Sequence, residues 1–297
     1  MRDYPVRYIH IPTGERIAFR KTGNAKKIVL LLHGNMSSSV HMQTIMSRME
    51  DNYTVYAMDM VGFGDSSYNR QLNSLEDFSL DVIAFIRELD LKDVNILGWS
   101  SGGGVALETA ASIPDRIAKV FLLSSVGIEG FTLYKKDQLI DAVLKKRLYK
   151  REDIERDLIQ VIPLVKAIES KNKIFMKALW DTTIYNNKRP KKEEYDKYFE
   201  AMFKQRNLID VDVALTNFNM TNNDNGVNTG SGRIKLIKAP IVIFHGDKDL
   251  VVKVKDAELT AKEFGSQAVL EVFRGFSHSI MTDNLDLLME RFFYHLT

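Results

Sequence analysis

Between Val94 and Ala111 the chain reads VNILGWSSGGGVALETAA. Val94–Leu97 is a short apolar run of strand length, and Val105–Ala111 has helical spacing with Pro114 just beyond its end. Seven residues separate them, all small but Trp99, and Ser100 sits between glycines at its −2 and +2 positions, Gly98 and Gly102. A strand that turns this sharply into a helix leaves no room for side chains at Gly98 or Gly102, which would strike the neighbouring strand and helix. The serine is driven into a strained backbone conformation with its hydroxyl at the top of the sheet. The feature therefore demands a strand inside a sheet, a helix packed back against it, and a reactive hydroxyl at their junction.

The rest of the chain supplies such a sheet. Lys27–Leu32, Tyr53–Met58, Val120–Leu123, Pro240–Phe244 and Ala268–Phe273 are apolar runs of strand length, several bounded by turn residues. Met42–Met49, Leu75–Leu89 and Asn284–Leu296 have helical spacing. Strand and helix alternate, which predicts an α/β fold with a mostly parallel, doubly wound sheet covered on both faces. From about Glu129 to Asn207 no convincing buried strand is visible, and Phe218–Gly232 (FNMTNNDNGVNTGSG) reads as a loop. The expected organisation is a core of residues 1–128 and 233–297, with 129–232 inserted as a helical cap over the sheet's carboxyl edge. Residues 129–205 carry 18 Lys/Arg against 13 Asp/Glu, an excess read as a solvated helical face.

A serine hydroxyl needs a base to take its proton. A serine on such a turn takes its partners in the chain order serine, acid, histidine. Of six histidines, His245, His278 and His295 follow Ser100. His245 ends a predicted strand before the acid candidates, and His295 lies in the last helical turn, where a surface position is expected. His278, in the loop GFSHS just past the final strand, is the base this reading selects. The acid must follow the strand Ile241–Phe244, where Asp247 and Asp249 compete; Asp249 precedes an apolar segment able to anchor it, and Asp247 reads as a turn former. The helix after Ser100 offers free N–H groups, with Ser101 contributing its backbone N–H rather than its hydroxyl. Trp99 and Met36 are expected to shape the substrate pocket.

With no cysteine in 297 residues, disulfides, thiolate metal sites and a cysteine nucleophile are excluded. A formal net charge of +2 gives no reason to expect nucleic acid. No apolar run approaches the roughly 20 residues that cross a bilayer, and MRDYPVRYIH lacks a signal-peptide core, so a cytoplasmic location is expected. No histidine–carboxylate spacing suggests a metal and no strand-following G-x-G-x-x-G a dinucleotide. The expectation is a cofactor-free monomer or homodimer acting on a small-molecule ester.

Taken together, His33-Gly34-Asn35, the segment Asp59–Ser66, Gly98–Gly102, Gly246–Asp249 and Gly275–His278 resemble the α/β-hydrolase superfamily of serine hydrolases over about residues 5–128 and 233–297. The resemblance implies the α/β-hydrolase fold. It also implies an oxyanion hole formed by the backbone N–H groups of Asn35 and Ser101, and a structural role for Asp59–Ser66. Lys253 stands where members often have proline, and Ser277 where glycine is common. Serine rather than aspartate at position 100 sets the chain apart from the dehalogenase and epoxide-hydrolase branches. The run Leu97–Ala106, with HGNMSSS and Asn225–Val227, is similar to bacterial intracellular polyhydroxybutyrate-depolymerase-like esterases, which implies short hydroxyacyl esters. Relatives sharing the triad also include C–C bond hydrolases and cofactor-free perhydrolases, and a slow-turnover receptor could be built on the same residues.

Overall fold

The computed structural model describes residues 2–50, 52–136 and 142–296. Strands β1 (Arg7–His10), β2 (Arg16–Thr22), β3 (Ile28–Leu32), β4 (Thr54–Met58), β5 (Val94–Trp99) and β6 (Ile117–Leu123) lie in one sheet. A separate antiparallel pair, β7 (Tyr134–Lys136) and β8 (Ala142–Arg147), follows, and the chain returns to the sheet with β9 (Ile241–Gly246) and β10 (Ala268–Phe273). The sheet order is β1-β2-β4-β3-β5-β6-β9-β10. β1–β2 and β2–β4 pair antiparallel, and every other neighbouring pair is parallel.

The parallel strands are central because their residues are apolar on both faces. Leu30 and Leu32 pack into one core with Val82 and Phe85 of α2 (Leu75–Glu88) and Leu107 of α3 (Ser101–Ser112). Val29 and Leu31 point the other way, into a second core with Met42 of α1 (Ser39–Met46). This is the period-two alternation of a strand, and each fully buried Leu or Phe contributes about 1.5–3 kcal/mol. Capping sets the helix starts. Ser38 accepts the Val40 N–H while His41 returns to the Ser38 N–H, so α1 begins and ends three residues before its apolar spacing suggests. Ser74 and Asp77 form the same reciprocal box on α2.

The segment between β6 and β9 holds the β7–β8 pair and then α4 (Arg151–Glu155), α5 (Val161–Glu169), α6 (Lys173–Thr183), α7 (Lys192–Met202) and α8 (Leu208–Thr216). The hairpin departs from the expectation of an insertion made of helices alone. Tyr134 and Lys136 are half-buried and Lys135 is exposed, so this lysine-rich strand has no apolar alternation by which to be read. Trp180 of α6 and Tyr195 and Phe199 of α7 join the same core as Met42 and Leu31. The inserted helices thus rest on the α1 side of the sheet. After α8 the polar loop is held by its own amides: Asn225 Nδ2 donates to Glu129 O at 2.9 Å and Asn228 Nδ2 to Asn217 O at 2.8 Å. The chain closes through α9 (Val254–Phe264), α10 (Ile280–Asp283) and α11 (Leu285–Leu296). Among the described residues no helix is long and apolar enough to cross a membrane.

Candidate active site

Ser100 joins β5 to α3 with φ 55° and ψ −123°, a backbone conformation that costs a non-glycine residue on the order of 1–3 kcal/mol. The surroundings hold it there. Its N–H donates to Leu123 O at 3.0 Å, and its carbonyl accepts from Gly103 N at 3.0 Å and Val126 N at 3.2 Å. A Cβ on Gly98 would lie 2.2 Å from Gly102 O, and one on Gly102 would lie 2.3 Å from His33 O. Both positions therefore admit glycine alone, as the sequence motif requires.

Asp249 follows β9 and His278 follows β10, parallel neighbours in the sheet, so residues 29 positions apart come together. His278 Nδ1 lies 2.7 Å from Asp249 Oδ2, and both side chains are buried. The other carboxylate oxygen accepts from the N–H groups of Val251 (2.8 Å) and Val252 (2.9 Å). Burial pushes the Asp249 carboxyl up, but the attraction of His278, its hydrogen bond, nearby His245 and the Val252 N–H together outweigh it. The carboxyl is held below its ordinary range. Asp247 instead accepts from the Gly275 N–H at 2.6 Å and so ties the turn after β9 to the histidine loop.

Ser100, Ser101, Asn35, Met36, Trp99 and His278 line one cavity of about 190 Å³. A larger hollow of about 460 Å³, lined by Tyr68, Arg151 and Asp210 among others, contains none of these groups. Met36 N–H is taken up by Asn35 Oδ1 and Gln205 Oε1, each at 2.9 Å. The Asn35 N–H has no acceptor among the described residues. Ser101 is the first residue of α3, where an N–H has no intrahelical acceptor. Its hydroxyl is buried without a hydrogen-bond partner.

Several supporting residues escape a motif reading. Trp99 Nε1 donates to the His278 carbonyl at 3.1 Å. Asp283 Oδ2 accepts from both the Ser277 N–H (2.5 Å) and the Ser277 hydroxyl (2.7 Å), which is why a serine precedes His278. Gln205, from the insertion, reaches Asn35 Oδ1 with its Nε2 at 2.7 Å. Asp59 accepts from Ser39 N at 2.7 Å and Asp65 N at 3.0 Å, and holds the turn after β4. His245 is buried, with Nε2 3.0 Å from Val252 O and 3.5 Å from Asp249 Oδ2. His295, expected on the surface, is half-buried and pairs with Glu271 at 2.5 Å.

A mostly parallel sheet covered by helices, with a strained serine at a strand–helix turn and an Asp–His pair in the loops just after the two strands that follow the insertion, defines an α/β-hydrolase. The chain belongs to the hydrolase family described as serine aminopeptidase, S33, which it matches over residues 23–284. An uncharacterized protein of Mycobacterium tuberculosis is 32% identical over 131 residues, a match covering 42% of this chain and 38% of that protein; the match thus spans well under half of that relative's length. A bromoperoxidase from Bacillus anthracis has a similar structure, with 19% identity, a TM-score of 0.77, and 98% of this chain and 99% of that chain covered. An esterase from Exiguobacterium antarcticum compares at 17% identity and a TM-score of 0.76, over 97% of this chain and 98% of that chain. At these identities the likeness is one of fold.

Proposed function

We propose that this hydrolase cleaves small carboxylic esters, thioesters or lactones through an acyl-enzyme intermediate. Ser100 attacks the carbonyl carbon, and His278 takes its proton and returns it to the leaving oxygen. Asp249 orients the imidazole and offsets its positive charge. The N–H groups of Asn35 and Ser101 donate to the oxyanion. Water, giving a proton to His278, then attacks the acyl carbon; the bond to Ser100 Oγ breaks, the carboxylic acid leaves, and His278 returns the proton to Ser100. The observation that carries this reading is the left-handed backbone of Ser100 at a cavity shared with the Asp249-anchored His278. The cavity is small beside the roughly 300–1,000 Å³ typical of small-molecule sites, which favours short acyl groups.

The test is p-nitrophenyl butyrate hydrolysis by the wild type and Ser100→Ala, together with labelling by a fluorophosphonate. The expected result is a rate loss of about 10³-fold or more, loss of labelling and an unchanged circular dichroism spectrum. Retained turnover in Ser100→Ala would remove Ser100 from the role. Butyrate is expected to be cleaved faster than dodecanoate.

A further inference from the structure

His245 is the next-to-last residue of β9 and is wholly buried. Val242 and Phe244 of the strand join one core, while Ile241 and Ile243 join the other, with Ala257 and Phe264 of α9. The alternation turns His245 to the α9 side. Its Nε2 lies 3.0 Å from the Val252 carbonyl, which can only accept, so Nε2 carries the proton. Nδ1 is buried without a partner. Among the described residues the imidazole thus makes a single hydrogen bond, and that bond goes to the loop carrying Asp249. The same Nε2 stands 3.5 Å from Asp249 Oδ2, the oxygen that receives His278 Nδ1. Val252 is gripped twice: its N–H donates to Asp249 Oδ1 at 2.9 Å, and its carbonyl accepts from His245.

The N–H groups of Val251 and Val252 fix the Asp249 carboxylate relative to its own loop. The loop must also be fixed relative to the sheet. Its near end is tied by the Asp249 N–H, which donates to Gly246 O at 3.2 Å. Its far end is tied by His245. A serine or asparagine at this place would be too short for that bond. A lysine or arginine would set a positive charge against the imidazolium that forms on His278. A neutral imidazole reaches Val252 and adds no charge. Burial pushes the His245 pKa down, helped by His278 and outweighing the Val252 carbonyl, Asp249 and, from α9, Asp256, which raise it. We infer that His245 is a positioning residue: its N–H anchors Val252 and directs a dipole at Asp249, and through both it sets the carboxylate against His278. His245 does not line the cavity that holds Ser100, so it acts through Asp249. The inference rests on the reading of Asp249 and His278 as acid and base, and adds a fourth residue behind them.

The experiment measures kcat and KM for p-nitrophenyl butyrate from about pH 5 to 9, and the rate of fluorophosphonate labelling, for the wild type, His245→Phe and His245→Gln. His245→Phe keeps a buried ring and removes the donor. Its kcat and labelling rate are expected to fall about 10- to 100-fold, as for a misplaced proton-transfer group, with KM within about twofold of wild type. The acid limb of kcat/KM moves to lower pH by about half a unit, because a carboxylate held less closely stabilises the His278 imidazolium less. His245→Gln carries an amide N–H to the place of Nε2; its limb returns to the wild-type position and its kcat to within about threefold. Should His245→Phe fail to fold, His245→Asn replaces it: the same amide falls short of Val252 and is expected to lose what glutamine retains. A wild-type kcat in His245→Phe, equal losses in the donor and donor-free variants, or an unmoved acid limb overturns the assignment of His245 and leaves Ser100 in place. A wild type that labels but cleaves no ester sinks the ester reading alone, and the labelling rates then decide for or against His245. A wild type that neither labels nor hydrolyses overturns both.

Discussion

The indole N–H of Trp99 donates to the carbonyl oxygen of His278 across 3.1 Å, with ring centroids 5.7 Å apart. The residue preceding the proposed nucleophile thus holds the backbone of the proposed base. Trp99→Phe keeps an aromatic ring and removes the donor, leaving a buried carbonyl unpaired at a cost of about 1–3 kcal/mol. The expected outcome is a lower melting temperature and a kcat reduced by about 10- to 100-fold, because small misplacements of a proton-transfer group are expensive. Steady-state kinetics on p-nitrophenyl butyrate check it. An unchanged kcat would mean that Asp283, through Ser277, positions the loop unaided.

Ser100 and Ser101 separate by substitution. The Ser101 hydroxyl has no partner to lose, and its proposed contribution is a backbone N–H, so Ser101→Ala is expected to stay within about threefold of wild-type activity. Ser100→Gly should be inactive, and more stable by about 1 kcal/mol, since glycine adopts φ 55° without strain. Chemical denaturation of the folded variant measures the gain. A Ser100→Gly protein less stable than the wild type would show that the hydroxyl contributes more to folding than the backbone strain costs.

Much of the candidate site's geometry is legible because each proposed member sits at a fixed place relative to a strand end. The spacing of Gly98 and Gly102 about Ser100 encodes steric collisions, and these are properties of residue type alone. The apolar runs that form β3 to β6, β9 and β10 are equally plain. β1 and β2 escape notice. β1 is mostly exposed and β2 interleaves Arg16, Arg20 and Lys21 with its apolar residues, so neither shows the continuous run of a buried strand. β7 and β8 are hidden for the same reason. Gln205 and Asp283 belong to no motif; their roles follow from contacts 170 and 6 positions away. A polar residue whose partner is set by tertiary packing leaves no local signature.

Asp249 makes the enzyme sensitive to acid in a defined direction. Its folded carboxyl is held below the ordinary value of 3.8. The stabilisation it supplies is therefore complete above that value and is lost as pH falls through the lower, folded one. Asp249→Asn should melt below the wild type at pH 6, with the gap closing below about pH 4. At pH 7 its kcat should fall on the order of 10³- to 10⁴-fold if His278 is the base proposed above, because an amide would no longer hold it in the tautomer that accepts the serine proton. A gap that widens on acidification would reverse the sign and contradict the Asp249–His278 pairing.

Gln205 connects the insertion to the proposed oxyanion hole. Its carbonyl oxygen accepts from Met36 N–H at 2.9 Å, while its Nε2 donates to Asn35 Oδ1 at 2.7 Å and Asn207 Oδ1 at 3.1 Å. The loop carrying the Asn35 N–H is thereby fixed from above. Gln205→Leu removes all three bonds, and kcat is expected to fall about tenfold with KM little changed, the pattern of an interaction realised in the transition state. Gln205→Glu keeps the acceptor for Met36 but places negative charge beside the developing oxyanion and removes the donor to Asn35. It should be slower than Gln205→Leu at pH 8 and recover relative to it near pH 5, where the new carboxyl takes up a proton. Rates within twofold of wild type for both variants would show that the insertion covers the site without shaping its chemistry.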